Sequence, residues 1–355
     1  MIGQKLYLAI TGNQLNYIPT GYNRKGTPIW RWTILKIAIA GLGITGAYLF
    51  RLLRKEGFSP DVYETPQKTV CGIHPCAWGT SLGFTELVKQ ADLDPNDYII
   101  NRFDHMLFDE IKVKADFITF DKPGFVKALS QSCEVKLTSL NPSSYDRIID
   151  ATGVARVYLP PIQNDLLMNC IQFKVKSNES NEVKIKLGGA GYAWYFPLGD
   201  HVHIGFGSVK ENPKDKVNGA ILAGWNVSQP ICGCRGVVRL SAPKASRPFV
   251  VNGEPQIIGV GEAIGCVSPL VGDGIVHGMR SVRILLDNWD DPEGYTEKIL
   301  REFSWLDRER KVVDKLAGSR SLSVFDARVL LENSRRRMGM RMGVFDVFRM
   351  ARSFS

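Results

Sequence analysis

The sequence predicts an α/β (α+β) protein: a Rossmann-like dinucleotide-binding domain, a second domain built on an antiparallel sheet, and a helical C-terminal region. Three observations carry this. Residues 35–40 are a short apolar, β-prone run followed at once by Gly41, Gly43 and Gly46 in G-x-G-x-x-G spacing, a strand–turn–helix signature. Residues 168–210 break into short alternating runs with Gly-rich turns, the pattern of antiparallel strands. From Asp291 onward helical periodicity dominates.

Taken in order, residues 1–33 show no clear period and read as an irregular N-terminal extension. Residues 34–160 and 245–290 form the discontinuous cofactor domain, 161–244 the sheet domain, and 291–355 the helical region with a basic amphipathic tail. After the first strand, residues 45–56 have helical spacing, with Ala47, Leu49, Phe50, Leu52 and Leu53 apolar and Gly57 as the stop. Residues 61–63 are a second strand ending at Glu64. Residues 65–80 form a Cys/Gly/Pro loop, 81–91 a helix, 103–120 two strands, and 123–131 a helix with proline at its start. Residues 134–140 and 145–150 are strands, the latter running into Ala151-Thr152-Gly153. In the sheet domain, residues 170–176, 183–187, 192–196 and 201–209 are strands and 214–225 a helix. Residues 256–260 return to a buried strand and 272–286 are a helix.

The glycine motif has a physical reading at each position. Gly41 allows the tight turn, Gly43 removes a Cβ so that a pyrophosphate can reach the backbone, and Gly46 lets helix and strand pack closely. The free amides at the helix start, with Thr45 among its first residues, face the phosphates. Glu64 can accept hydrogen bonds from a ribose diol, and an acid here argues against a 2′-phosphate. The motif alone does not separate NAD from FAD.

A chain of 355 residues suits two domains, and 44% hydrophobic content supports a real core. No run approaches the roughly 20 apolar residues of a spanning helix, and residues 6–10 are too short for a signal-peptide core. These place the protein in the cytoplasm. The net charge of +9 favours anionic partners such as phospholipid surfaces, nucleic acid or acidic proteins. No dedicated nucleic-acid module accompanies it, so no nucleic-acid partner is expected. Seven scattered cysteines are not a secreted disulfide framework, and neither Cys71/Cys76 nor Cys232/Cys234 has a second pair at zinc spacing, so no metal is expected.

A second informative stretch spans residues 256–280, where a strand runs into Gly261-Glu262-Ala263, then Pro269, then Gly272-Asp273-Gly274-Ile275 and a helix. A carboxylate at a strand end can bind a polyol, and a helix opening at Gly274 can set its dipole against a ring that gains negative charge. Residues 334–355 hold Arg335, Arg336, Arg337, Arg341, Arg349 and Arg352 interleaved with Met, Val and Phe. Such a segment can lie in an anionic membrane surface or pack its apolar residues on its own domain.

The glycine motif with Glu64, D-A-T-G at 150–153, and G-E-A-x-G…P-x-x-G-x-G-I resemble FAD-binding enzymes of the glutathione-reductase-type, hydroxylase-like group. His74-Pro75-Cys76-Ala77-Trp78-Gly79 resembles the P-C-A-x-G loop of archaeal geranylgeranyl reductases, and Gly191-Tyr192-Ala193-Trp194-Tyr195-Phe196-Pro197 their Y-x-W-x-F-P motif. The resemblance runs from about residue 35 to 290. It implies an FAD-dependent reductase that saturates C=C bonds of geranylgeranyl chains on membrane lipids, with NAD(P)H or a ferredoxin as electron donor, peripheral to the inner face of the membrane. Carried over, Gly41, Gly43, Thr45, Gly46 and Glu64 hold the ADP half, while Cys76, Ala77 and Gly79 lie by the flavin. Ala151 and Gly153 of D-A-T-G, with Glu262, Gly274 and Ile275, contact the remainder, and Lys122 stands where the family has an FAD-contacting Arg. Tyr192, Trp194 and Phe196 line the substrate tunnel or, on the residues alone, a sheet core. Cys76 is a candidate proton donor or a small buried hydrophobe, and His74 a candidate proton shuttle or an ordinary His. Glu262 replaces the family's Asp, Lys122 cannot reproduce a bidentate Arg, and the C-terminal region is shorter than in typical members. The rival readings are a monooxygenase or halogenase of the same fold, and a non-catalytic flavin-binding protein. The W-x-W-x-I-P stretch of halogenases is absent from the sequence.

Overall fold

Four parallel strand ends, brought into register, organise the molecule. The computed structural model describes residues 16–22, 28–33, 35–66, 77–176, 181–188, 190–210, 225, 229–318, 320–337 and 339–354. In chain order these give β1 (Asn16–Tyr22), β2 (Pro28–Thr33), β3 (Ile37–Ala40), α1 (Ile44–Lys55), β4 (Asp61–Tyr63), β5 (Gly79–Thr80) and α2 (Phe84–Gln90). Then come β6 (Ile99–Phe108), β7 (Ile111–Phe120), α3 (Lys122–Leu129), β8 (Val135–Lys136), β9 (Arg147–Asp150), β10 (Leu167–Lys176), β11 (Val183–Gly188), β12 (Gly191–Pro197), β13 (His201–Ser208) and β14 (Pro230–Arg239). β15 (Val250–Val251), β16 (Gln256–Gly259), α4 (Ile275–Asp287), α5 (Pro292–Glu302), α6 (Ser304–Ala317), α7 (Val324–Arg337) and α8 (Val344–Phe354) complete the chain.

A six-stranded sheet has the order β15-β16-β9-β3-β4-β8, with every pair parallel except β15 with β16. Ala40 is level with Tyr63 and Asp150, and Asp150 with Gly259. The loops after these residues therefore leave from one edge, where open α/β sheets bind ligands. β3 is buried along its whole length, which is why it reads as an unbroken apolar run. Over it α1 buries Leu49, Leu52 and Leu53, and α4 buries Val276, Met279 and Val282. Each such side chain contributes about 1.5–3 kcal/mol. The two helices approach closely because a Cβ at Gly278 would strike Thr45 Oγ1.

An eight-stranded sheet has the order β14-β10-β13-β12-β11-β6-β7-β5. It corrects the sequence reading twice. The β6–β7 hairpin, assigned from sequence to the cofactor domain, belongs here. It joins through Val183–Ile185 running parallel to Met106–Phe108, so the sheet is mixed rather than wholly antiparallel.

Other boundaries also shift. Within the stretch read as irregular, β1 and β2 pair antiparallel; the β-branched and aromatic residues Ile29, Trp30, Trp32 and Thr33 favour extended backbone. The strand expected over 134–140 shrinks to β8, with Leu137 exposed. α2 starts at Phe84 because Gly83 has φ +99°. α4 starts at Ile275, where Asp273 Oδ1 accepts its amide at 3.0 Å. The helix expected over 214–225 falls, apart from Trp225, outside the described residues.

The C-terminal helices close over the second sheet. Ala327, Leu330, Met340 and Val347 are buried, and the Arg341 amide donates to Lys114 O of β7 at 2.7 Å. Part of the tail's apolar surface thus packs on its own protein, while Val344 and Phe345 stay exposed.

Candidate cofactor and substrate site

The glycine loop after β3 is shaped by contact. Gly41 has φ +97°, and a Cβ there would sit 2.5 Å from Ala151 O; a Cβ at Gly46 would strike Gly41 O. Gly43 is different: nothing lies within 4 Å of its would-be Cβ. It is the N-cap of α1, supplies no side-chain cap, and no acid occupies the first turn. The first amides of α1 therefore face open space with the positive end of the helix dipole behind them. Glu64, just past β4, accepts the Leu42 amide on Oε2 and the Thr65 amide on Oε1, both at 2.7 Å. Its carboxylate is thereby fixed beside the loop. An open helix start next to a held acid fits the ADP half of a dinucleotide.

The second corner is held by Asp150, quoted from sequence only as the first residue of D-A-T-G, and by Arg239, which sequence reasoning passed over. Asp150, fully buried, accepts the Thr152 amide and hydroxyl on Oδ1 and the Tyr158 and Leu159 amides on Oδ2. This folds the Ala151–Gly153 turn. Arg239, 4% exposed at the end of β14, pairs with Asp165 at 3.0 Å and donates to the carbonyls of Gly153, Val154 and Glu262. Its own amide donates to Glu262 Oε1 at 2.7 Å. Glu262 is thus locked between the two sheets. Burial pushes its carboxyl up, and the Arg239 amide and guanidinium oppose that.

Asp273 is the further acid of the site. Oδ1 caps α4, and Oδ2 accepts the buried Thr80 hydroxyl at 3.0 Å. Burial pushes its carboxyl up to about 6, against the pull of the Ile275 amide, Thr80 and Arg280. The sequence reading quoted Asp273 only as part of a helix-opening loop. Its chemistry comes from a partner nearly two hundred residues away.

These corners open into one cavity of about 390 Å³. Gly43, Thr45, Ala77, Gly79, Lys122, Ala151, Gly153, Glu262, Gly274 and Ile275 line it, and so do Tyr192, Trp194 and Phe196. Gly41 and Gly46 pack behind the loop, and Glu64 stands beside it. Cys76 and His74 lie outside the described residues. Trp194 belongs both to the wall and to the sheet core: it is 6% exposed and its indole donates to Gln172 Oε1 at 3.2 Å. Gln172 also meets His203 Nδ1 at 3.3 Å, and burial pushes that imidazole down to about 3, so it is neutral. Burial pushes the Cys170 thiol in the same wall up to about 12, leaving it neutral and effectively apolar. Met106, Met168, Met340, Met342 and Met350 also line the cavity, side chains that adapt to an irregular apolar guest. The polar corner and the dipole end of α4 fit FAD.

The fold and this arrangement define a class: the chain has the fold of flavin-dependent oxidoreductases. A geranylgeranyl bacteriochlorophyll reductase-like protein from Thermoplasma acidophilum matches with a TM-score of 0.63 and 17% identity, covering 89% of this chain and 98% of its own. PqsL, a probable FAD-dependent monooxygenase from Pseudomonas aeruginosa, matches at 0.57 and 14% identity, over 83% of this chain and 99% of that one. Flavin-dependent halogenases share the fold as well. In sequence, an uncharacterized protein of Methanocaldococcus jannaschii is 23% identical over 339 residues, 79% of this chain and 91% of that one. No protein-family model matches the chain.

Proposed function

We propose that the protein is an FAD-dependent reductase that saturates C=C bonds of geranylgeranyl chains carried on membrane lipids. The observation that carries this reading is one cavity lined both by the glycine-loop corner and by apolar, aromatic and Met side chains, with the acid Asp273 among its lining residues. The α1 amides and Glu64 would hold the ADP half, Glu262 the polyol, and the start of α4 the ring. Bound FAD, when reduced, supplies a hydride to one alkene carbon. Asp273 gives the proton to the other and is then recharged from solvent. Tyr192, Trp194 and Phe196 orient the chain and keep water away from an unactivated double bond. NAD(P)H or a ferredoxin restores the electrons, and the protein works in the cytoplasm at the membrane face.

The test is anaerobic. Flavin absorbance of the purified, FAD-loaded protein is bleached with dithionite and a geranylgeranylated lipid is added. Return of the absorbance together with a gain of two hydrogens per double bond by mass spectrometry supports the reading. Re-oxidation by oxygen alone supports the second reading, a monooxygenase, which the fold shared with PqsL favours. A protein that takes up no FAD sinks both.

A further inference from the structure

We propose that the outward faces of α7 and α8 dock the protein on an anionic lipid surface. This deepens the reading above by naming where the lipid-bearing partner meets the protein. Both helices turn their inner faces to the cavity: Leu330 and Ser334 on α7, Val347 and Met350 on α8 line it. Their outer faces carry large apolar side chains that no described residue covers. Val324 is 73% exposed, Phe325 80% and Phe345 86%.

The same outer faces are basic. On α7 Phe325 is followed at helical spacing by Arg328, Arg335 and Arg336, and on α8 Phe345 by Arg349. All four arginines are exposed. Across both helices and their connection, seven arginines face three acids. Those acids are already engaged: Asp326 with Lys315 at 2.7 Å, Asp346 with the Gly343 amide at 2.8 Å, and Glu332 with Arg336 at 3.0 Å. Exposed aromatic residues among arginines that outnumber the acids match the chemistry of a head-group layer, with Phe in the acyl boundary and guanidinium at phosphate. Among the described residues no helix is long and apolar enough to cross a membrane, so attachment through these helices would lie in the interface.

The experiment is co-sedimentation of the FAD-loaded protein with vesicles of phosphatidylcholine alone or mixed equally with phosphatidylglycerol. The protein is expected to bind the anionic vesicles and to be released by high salt. Phe325→Ser with Phe345→Ser, and separately Arg335→Gln with Arg336→Gln, are expected to weaken binding about tenfold or more. Flavin absorbance and turnover of a detergent-dispersed prenyl substrate should stay unchanged in both variants. Equal binding to neutral vesicles, no binding, variants that bind like the parent, or tighter binding to single-stranded nucleic acid would each overturn the proposal. Salt-sensitive vesicle binding without prenyl reduction would leave the docking surface standing and remove the reductase reading instead.

Discussion

The Thr80 hydroxyl donates to Asp273 Oδ2 at 3.0 Å, joining the short strand β5 to the start of α4 at the cavity wall. Hydrogen bonding from Thr80 favours the ionised carboxylate, while burial favours the neutral acid and wins, pushing the group up to about 6. If Asp273 supplies the proton, turnover is flat below about pH 6 and falls as pH rises through it. Asp273→Asn should cost on the order of 10²–10⁴ in rate with flavin absorbance retained. Thr80→Val should move the falling limb to higher pH. A pH–rate profile of the three proteins decides this, and an unshifted limb in Thr80→Val would remove Asp273 from the role.

Glu309 predicts a pH dependence of a different kind. It is fully buried on α6, accepts the Ser268 hydroxyl at 2.6 Å and the Leu270 amide at 3.3 Å, and so ties α6 to the loop before Asp273. Burial pushes its carboxyl up to about 7 from 4.5. Below pH 4.5 the group is protonated folded or unfolded and brings no penalty. As pH rises to 7 only the unfolded chain ionises it, so folding stability falls, by about 3 kcal/mol once pH exceeds 7. Glu309→Gln keeps an acceptor for Ser268 and removes the titration. Relative to the parent, it should gain about 2.5 kcal/mol between pH 5 and pH 8 in urea unfolding. Parallel stability curves would refute the assignment.

How much of this was legible in sequence follows from how local each signal is. The β3–α1–β4 unit is written within some thirty residues, because turn, helix start and acid are set by near neighbours, and residues 256–280 are similar. Arg239 carries no local pattern: it becomes the joint only when β14 ends beside Gly153, Asp165 and Glu262. Nor could the β6–β7 hairpin announce its sheet, since the pairing of Met106 with Val183 is a long-range choice. Pro19 and Gly21 interrupt the alternation of β1, which hid that hairpin from a periodicity argument. Asp273 reads as a loop acid until burial is known.

Gly43 and Gly46 should separate folding from cofactor binding. A Cβ at Gly43 meets nothing within 4 Å, so Gly43→Ala should leave the cofactor-free protein's Tm within a degree or two. The added methyl stands where a pyrophosphate approaches the α1 amides, so FAD affinity should fall at least tenfold. A Cβ at Gly46 strikes the Gly41 carbonyl, so Gly46→Ala should destabilise the fold itself, by about 1–3 kcal/mol. Fluorescence titration with FAD beside thermal unfolding checks both. Unimpaired FAD binding by Gly43→Ala would place the phosphates elsewhere.

Arg239 makes the strongest stability prediction because its side chain satisfies one carboxylate and three carbonyls at once. Arg239→Met keeps much of the volume but leaves Asp165, with 18% of its side chain exposed, without its cation. Breaking such a pair costs about 3–5 kcal/mol. Lys cannot reproduce the planar fork, so Arg239→Lys should recover only part of the loss. The joint also positions Glu262 through the Arg239 backbone amide, which either substitution keeps. FAD should therefore still bind at low denaturant, and the loss should appear as a lower urea midpoint at unchanged slope. A midpoint unmoved in Arg239→Met would mean that the guanidinium does not hold the two sheets together.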